Sequence, residues 1–539
     1  MRTAEILRHP KILFDDIESS RYILLSLILL FALIIRLSFF CGITGGDDLA
    51  YLEEIHKSYM GDFEPASSHW GLRLGFILPS LLCVYLFGFN EAALALFPLI
   101  CSVAHILLIY ATAKLLVNEK TALLSAFLMA FFPLDVFFAT MIFLDTPLAL
   151  FMGLTAFYVI KGELSGKTAY YVVSGLFLGL AYLTKETGLY ITLFFIVYVI
   201  AEKKIRLKYG VVILSFLFIV VLEFGYYYLK TGNPAYRFSI IEGGHHSMIK
   251  TLEKEYDESS GTDQEEAFFK KDISDVLVLR GNNWYVEPFF MLATNQEFGF
   301  FYYFILPITI YFLVKKDKKI RIILIWMIPM FIYILYGTTN PFSFSPLRRW
   351  PRYLTPVTLP ALIILAYFLI EKGQWLWHKF TEISVAFLLI TSLMCIFLLD
   401  TGTTDSFIVK EIAKFRTQNT QKDMLIYWGT YQHLAPFLEY RKDIHIKLYG
   451  FPQSKQRPEH SLYYGLGLAD PNEVKDCYIV IPCSDPMNIQ KNHPKWELVR
   501  SIASAKKFYC SWTENASFFP TAIKEKLCPD GVFRIYYVP

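Results

Sequence analysis

Two adjacent carboxylates follow a pair of glycines in Gly45-Gly46-Asp47-Asp48, and Tyr51 stands one helical turn further on. A third acid, Asp145, precedes Thr146-Pro147. Cationic groups recur along the chain: His69 and Arg73, Lys185 beside Glu186, and Arg348, Arg349 and Arg352 ahead of Tyr353. A carboxylate within hydrogen-bond reach of a hydroxyl can act as general base. Guanidinium forks and an ammonium stabilise the charge on a departing phosphate, which then needs no general acid. One base plus a cationic clamp therefore suits transfer of a group from a phosphate carrier to a hydroxyl. With base and leaving group on opposite faces of an anomeric carbon, a single displacement inverts its configuration.

Each residue also has a plainer use. An Asp after Gly-Gly caps a helix or sits in a solvated turn. Asp145 before Thr-Pro opens a helix with proline in its first turn. Lys185 at a span end reaches for headgroups. What favours chemistry is where these residues fall once the supporting elements are drawn.

Those elements are membrane spans. The chain has 539 residues, 55% of them apolar and 17% aromatic, with only 18% charged. Soluble chains carry about 25% charge, and here the deficit lies in the first 400 residues. That excludes a soluble enzyme, a fibrous protein and a disordered one, and a net charge of +3 is too small to argue for nucleic acid. A span needs roughly 17–25 apolar residues. Eleven are expected, at 22–41, 92–110, 122–138, 141–160, 170–183, 188–201, 210–229, 298–314, 320–336, 353–370 and 380–399. Continuous runs argue helices, since a lipid-facing backbone must bond to itself.

Orientation follows from charge. With the N-terminus inside, eighteen Lys/Arg fall in the short inner loops and six in the short outer ones, as the positive-inside rule requires. Reading 72–87 as a further span would push Lys203-Lys204 and the lysines of 315–319 outside, so that stretch is expected to be an interfacial or re-entrant helix. The first span reads as a retained signal-anchor. Every acid and cation named above then meets on the outer side, with no comparable acidic set inside.

The domain organisation expected is a membrane part over 1–399, with a first outer loop over 42–91 and a long outer loop over 230–297. A soluble α/β domain over 400–539 follows, also outside. Its strand-like runs are 424–428, 444–448, 478–482 and 532–538, with a helical stretch at 431–440. Cys477, Cys483, Cys510 and Cys528 lie there, in a compartment that permits one or two disulfides whose pairing is open. His245-His246, near Glu253 and Asp257, lacks fixed metal-ligand spacing.

Order and sidedness together resemble a known family. Asp47-Asp48-Leu49-Ala50-Tyr51 is followed by Leu86-Phe87-Gly88, then by Phe143-Leu144-Asp145-Thr146-Pro147-Leu148, Leu180-Ala181-Tyr182-Leu183-Thr184-Lys185-Glu186 and Arg352-Tyr353-Leu354-Thr355-Pro356. This pattern is similar to the GT-C integral-membrane glycosyltransferases, above all the group of protein O-mannosyltransferases and bacterial aminoarabinose transferases (glycosyltransferase family 39-like). The resemblance implies a polytopic all-α bundle of about 11 helices and an inverting transferase using a polyprenyl-phosphate sugar. It places the catalytic or acceptor-orienting acid at Asp47, with Asp48 and Asp145 as helpers and Lys185 on the donor. Two departures stand out. Aminoarabinose transferases carry Arg where this chain has Ala50, and Phe-Glu-Lys-Pro where it has Ser68-His69-Trp70-Gly71, so His69 and Arg73 are expected to take over phosphate binding.

The expectation is a multi-pass protein of the bacterial inner membrane. Its partners are a lipid-linked sugar, a glycan, lipid or protein acceptor, and membrane lipids, with no nucleic acid. No cofactor is assigned, and a divalent cation held by Asp47, Asp48 and His69 is left open. The rival readings are a transporter or flippase of a lipid-linked sugar, and a glycan ligase or polymerase using a polyprenyl-diphosphate donor.

Overall fold

The computed structural model describes residues 10–203, 206–241, 286–338, 347, 349–372, 379–401, 404–438, 440, 446–449, 467–468, 475–483, 495–503 and 532–539. Arg348, His245-His246, Cys510 and Cys528 lie outside the described residues.

The described helices are α1 (Pro10–Ser38), α2 (Asp48–Tyr59), α3 (Leu74–Phe87), α4 (Glu91–Leu116), α5 (Glu119–Ala130), α6 (Pro133–Phe138), α7 (Asp145–Ser165), α8 (Thr168–Thr184), α9 (Thr192–Glu202) and α10 (Lys208–Thr231). Then come α11 (Glu287–Thr294), α12 (Phe301–Lys315), α13 (Arg321–Tyr336), α14 (Thr355–Glu371), α15 (Phe380–Thr401), α16 (Thr404–Gln418) and α17 (Trp428–Leu434). Six of them, α1, α4, α7, α10, α14 and α15, are long and apolar enough to cross a membrane. Their surroundings differ. Of its most apolar stretch α14 buries 83% and α10 only 11%, so α14 is a central helix. The exposed apolar residues of α10 include Ile213, Leu214, Leu217, Phe218, Val221 and Leu222. An apolar face of that size belongs in lipid. At 14 residues α3 is about 21 Å long, short of the hydrocarbon core.

The expected span 122–138 is not one helix. Pro133 has no N–H to donate and holds Phe132 extended at ψ 119°, so α5 ends at Ala130 and α6 starts afresh. Buried Arg36 of α1 covers the break. It donates to the carbonyls of Ala130 (2.9 Å) and Met129 (3.5 Å), to Ser102 (2.7 Å) and to Asp135 (2.5 Å). The span expected at 188–201 likewise opens as a 3-10 helix, Glu186–Ile191, before α9.

The tail holds a six-stranded sheet in the order β3-β2-β1-β4-β6-β5, with β1 Asp423–Tyr427, β2 Ile446–Tyr449, β3 Gly467–Leu468, β4 Cys477–Cys483, β5 Glu497–Ala503 and β6 Val532–Val538. Strands β3, β2, β1 and β4 run parallel, and β6 is antiparallel to both its neighbours. Central β1 buries Met424, Leu425 and Ile426 in succession, the continuous run of a strand covered on both faces. Cys477 is a buried free thiol, which removes it from the expected disulfides.

The chain divides into two compact units. One is Met1–Phe40, Phe63–Pro79 and Leu96–Ile396, and the other is Cys41–Asp62, Ser80–Ala95 and Phe397–Pro539. Residues 41–62, expected as part of the membrane domain, thus share a unit with the tail. Within it, Lys410 of α16 pairs with Glu91, His433 of α17 lies against Gly45, and Tyr440 packs on His56 of α2.

Candidate active site

Within the first unit, three ends converge. Asp145 is the first residue of α7, Lys185 sits in the turn after α8, and Arg352 lies in a 3-10 helix, Pro351–Leu354, that leads into α14. All three are buried. Lys185 Nζ lies 3.7 Å from Asp145 Oδ1 and Arg352 Nε 3.9 Å from Asp145 Oδ2. These are ion-pair separations, too long for hydrogen bonds. Asp145 Oδ1 has no hydrogen-bond partner among the described residues. Aromatic rings complete the wall, with Lys185 Nζ 4.2 Å over Tyr353 and the Arg352 guanidinium 4.3 Å over Trp350 and 4.9 Å over Phe143.

Burial pushes the Lys185 ammonium down to about 8; Asp145 partly restores it, and Arg73 and Arg352 deepen the fall. Arg73, at the start of α3, therefore belongs to the same electrostatic cluster. So does Glu297, which no sequence motif marks. Burial pushes its carboxyl up to about 7 against the pull of Arg352, with Asp145 adding to the rise. Its Oε2 has no hydrogen-bond partner among the described residues. Asp145 Oδ1 and Glu297 Oε2 are thus left without short bonds, and the gathered cations suit a phosphate.

Other expected site residues are spent differently. Glu186 is held by Arg237 at 2.6 and 3.0 Å, and Arg237 also bonds Glu223 (2.8 Å) and the Tyr182 carbonyl (3.0 Å). Burial works against the Glu186 carboxylate, yet Arg237 and Arg73 hold it below its ordinary range. Arg237, from the segment after α10, thereby fixes the turn that presents Lys185. Its charge was hidden in what read as a polar loop. Arg349 faces Glu287 (2.9 Å) and the Leu335 carbonyl (3.0 Å) instead of Asp145. The ring of His69 lies 3.8 Å from that of Trp70.

In the second unit the acid pair divides its work. Asp48 Oδ2 accepts from Thr44 N–H (2.6 Å), Gly45 N–H (3.2 Å) and the Thr44 hydroxyl (3.3 Å), and Oδ1 accepts from Gly46 N–H at 2.5 Å. Burial raises its pKa, and those amides offset part of the rise. Asp48 is thus the anchor of the loop. Asp47, at the N-cap position of α2, makes no side-chain cap bond. Tyr51 is buried on α2 with Leu52 and Ile55, a packing position. A divalent ion does not fit the pair as arranged, because the Asp48 oxygens already accept four hydrogen bonds. Among the described residues no group of three or more His, Cys, Asp or Glu is placed to hold a metal.

Residues 77–227 match the family model described as dolichyl-phosphate-mannose-protein mannosyltransferase. ArnT from Cupriavidus metallidurans in the apo state superposes with a TM-score of 0.55 at 15% identity, covering 95% of this chain and 97% of that chain. The fold is that of the GT-C glycosyltransferases. ArnT bound to undecaprenyl phosphate gives a TM-score of 0.56 at 13% identity over the same shares of the two chains, 95% and 97%. The Archaeoglobus fulgidus oligosaccharyltransferase in the apo form gives 0.48 at 12% identity, covering 78% of this chain and 64% of that chain. The chain thus spans 64% of that protein's length. No curated protein matches it. With a GT-C fold and six helices fit to cross a bilayer, the chain is a multi-pass integral membrane protein.

Proposed function

We propose that this chain is an inverting glycosyltransferase, moving a sugar from a polyprenyl-phosphate donor to an acceptor hydroxyl at the extracytoplasmic face. The observation that carries the reading is the buried Asp145–Lys185–Arg352 cluster, cationic and without short internal hydrogen bonds. Lys185 and Arg352 take the phosphate as it leaves, and Arg73 adds to their field. Such charge stabilisation is strong where water is excluded. Asp145 keeps the two cations apart and aligned.

Asp47 takes the acceptor proton. Asp48 is committed to backbone amides and holds the loop that presents Asp47. Positive-inside charge puts the cluster outside. No nucleotide pool exists there, so the donor must carry its own activation in the lipid, and ArnT, which shares the fold, is the protein bound to undecaprenyl phosphate. The test is Asp47→Asn, which keeps size and hydrogen bonding but removes the base. Transfer from a polyprenyl-phosphate sugar, measured with purified protein in lipid nanodiscs, falls about 10²–10⁴-fold while folding is retained. Turnover near that of the wild type would remove Asp47 from the mechanism.

A further inference from the structure

The loop that carries Asp47 is gripped by the opposite end of the chain. Gly42 and Gly45 have φ of +69° and +85°, the left-handed region where a side chain is strained. Neither has room for one: a Cβ at Gly42 would run into the Glu91 carboxylate, and at Gly45 it would lie 2.6 Å from the His433 ring. Glu91 opens α4 and serves two partners. Its Oε1 accepts from Ile43 N–H at 2.9 Å, and its Oε2 pairs with Lys410 of α16 at 2.9 Å.

His433, on α17, covers the face of Gly45. Tyr440 follows after a 3-10 turn and takes φ +52°, a strained backbone for a bulky residue. That conformation sets its ring 4.5 Å from His56 of α2 and 6.2 Å from Phe89. Its hydroxyl is buried with no hydrogen-bond partner among the described residues. Strain and a lost hydrogen bond persist only where surrounding contacts over-determine a position. Here those contacts include α2, the helix that Asp47 precedes.

We propose that the C-terminal domain is a positioning element for the transfer reaction: Lys410, His433 and Tyr440 clamp residues 42–48 and hold Asp47 in one geometry. None of the three touches the reacting atoms. They act through Glu91, Gly45 and His56. The inference deepens the reading of Asp47 as base and rests on it.

Full-length protein in nanodiscs tests the clamp by hydrogen–deuterium exchange. In Lys410→Ala/His433→Ala the amides of residues 43–46, bonded to Glu91 and Asp48 in the wild type, exchange about tenfold faster or more, while those of α7 and α14 do not change. Turnover of a polyprenyl-phosphate mannose probe falls about 10–100-fold, and its KM stays within about twofold because the phosphate-binding cluster is untouched. Lys410→Arg in the wild-type background keeps both exchange and turnover. Unchanged exchange at 43–46 overturns the clamp, and so does faster exchange with undiminished turnover. Should the wild type transfer no sugar at all, the glycosyltransferase reading fails first, and exchange at 43–46 still decides whether the tail fixes the loop.

Discussion

At the scale of single residues, the site is governed by burial. Lys185 is a cation held in a place that disfavours cations, with its pKa brought down to about 8. Its charge is therefore complete below that pH and lost as pH rises through it. Because kcat/KM reports groups of the free protein, it should fall on the alkaline side with an apparent pKa of about 8, and Lys185→Arg should abolish that limb. A pH–rate profile of the two proteins checks this. Glu297 offers the opposite case. Its carboxyl titrates near 7 in the folded protein against about 4.3 unfolded, so the native state binds the extra proton between those values. Stability must then fall as pH rises through that window. Glu297→Gln removes the penalty. It should raise Tm at pH 8 by about 2–4 °C and leave Tm at pH 4.5 unchanged, as thermal unfolding in detergent would read.

At the scale of elements, the break between α5 and α6 depends on the Arg36–Asp135 pair, both side chains being almost fully buried. Removing one partner of a buried pair leaves an uncompensated charge, whereas removing both is far milder. Arg36→Met should cost about 3–5 kcal/mol of stability, and Arg36→Met/Asp135→Asn should recover most of it; urea unfolding of the single and double variants measures the difference. Sequence periodicity reads such a region as one span because both halves are apolar. Only Pro133 marks the interruption, and the charges that repair it come from α1. The same limit applies to β5. Its Leu498 and Val499 are exposed, so this edge strand carries no buried alternation to detect. By contrast, β1, β4 and β6 were visible as apolar runs because the sheet buries them.

At the scale of the whole molecule, Asp145, Lys185 and Arg352 could be picked out in advance because charge at the end of an apolar span has few structural uses. Glu297 and Arg237 escaped notice since neither lies in a recognisable pattern. Their importance appears only when distant segments fold onto Lys185. The partners of Arg349 and Glu186, which are Glu287 and Arg237, were hidden for the same reason. Transfer from a lipid-linked donor requires the buried cationic cluster to be a phosphate site for a membrane lipid. The direct measurement is binding of undecaprenyl phosphate to the purified wild type and to Lys185→Ala/Arg352→Ala. Two charge-assisted contacts at roughly 1.5–3 kcal/mol each predict a loss of affinity of about 100-fold or more in the variant. Equal affinity in both proteins, or no binding to the wild type, would contradict the account.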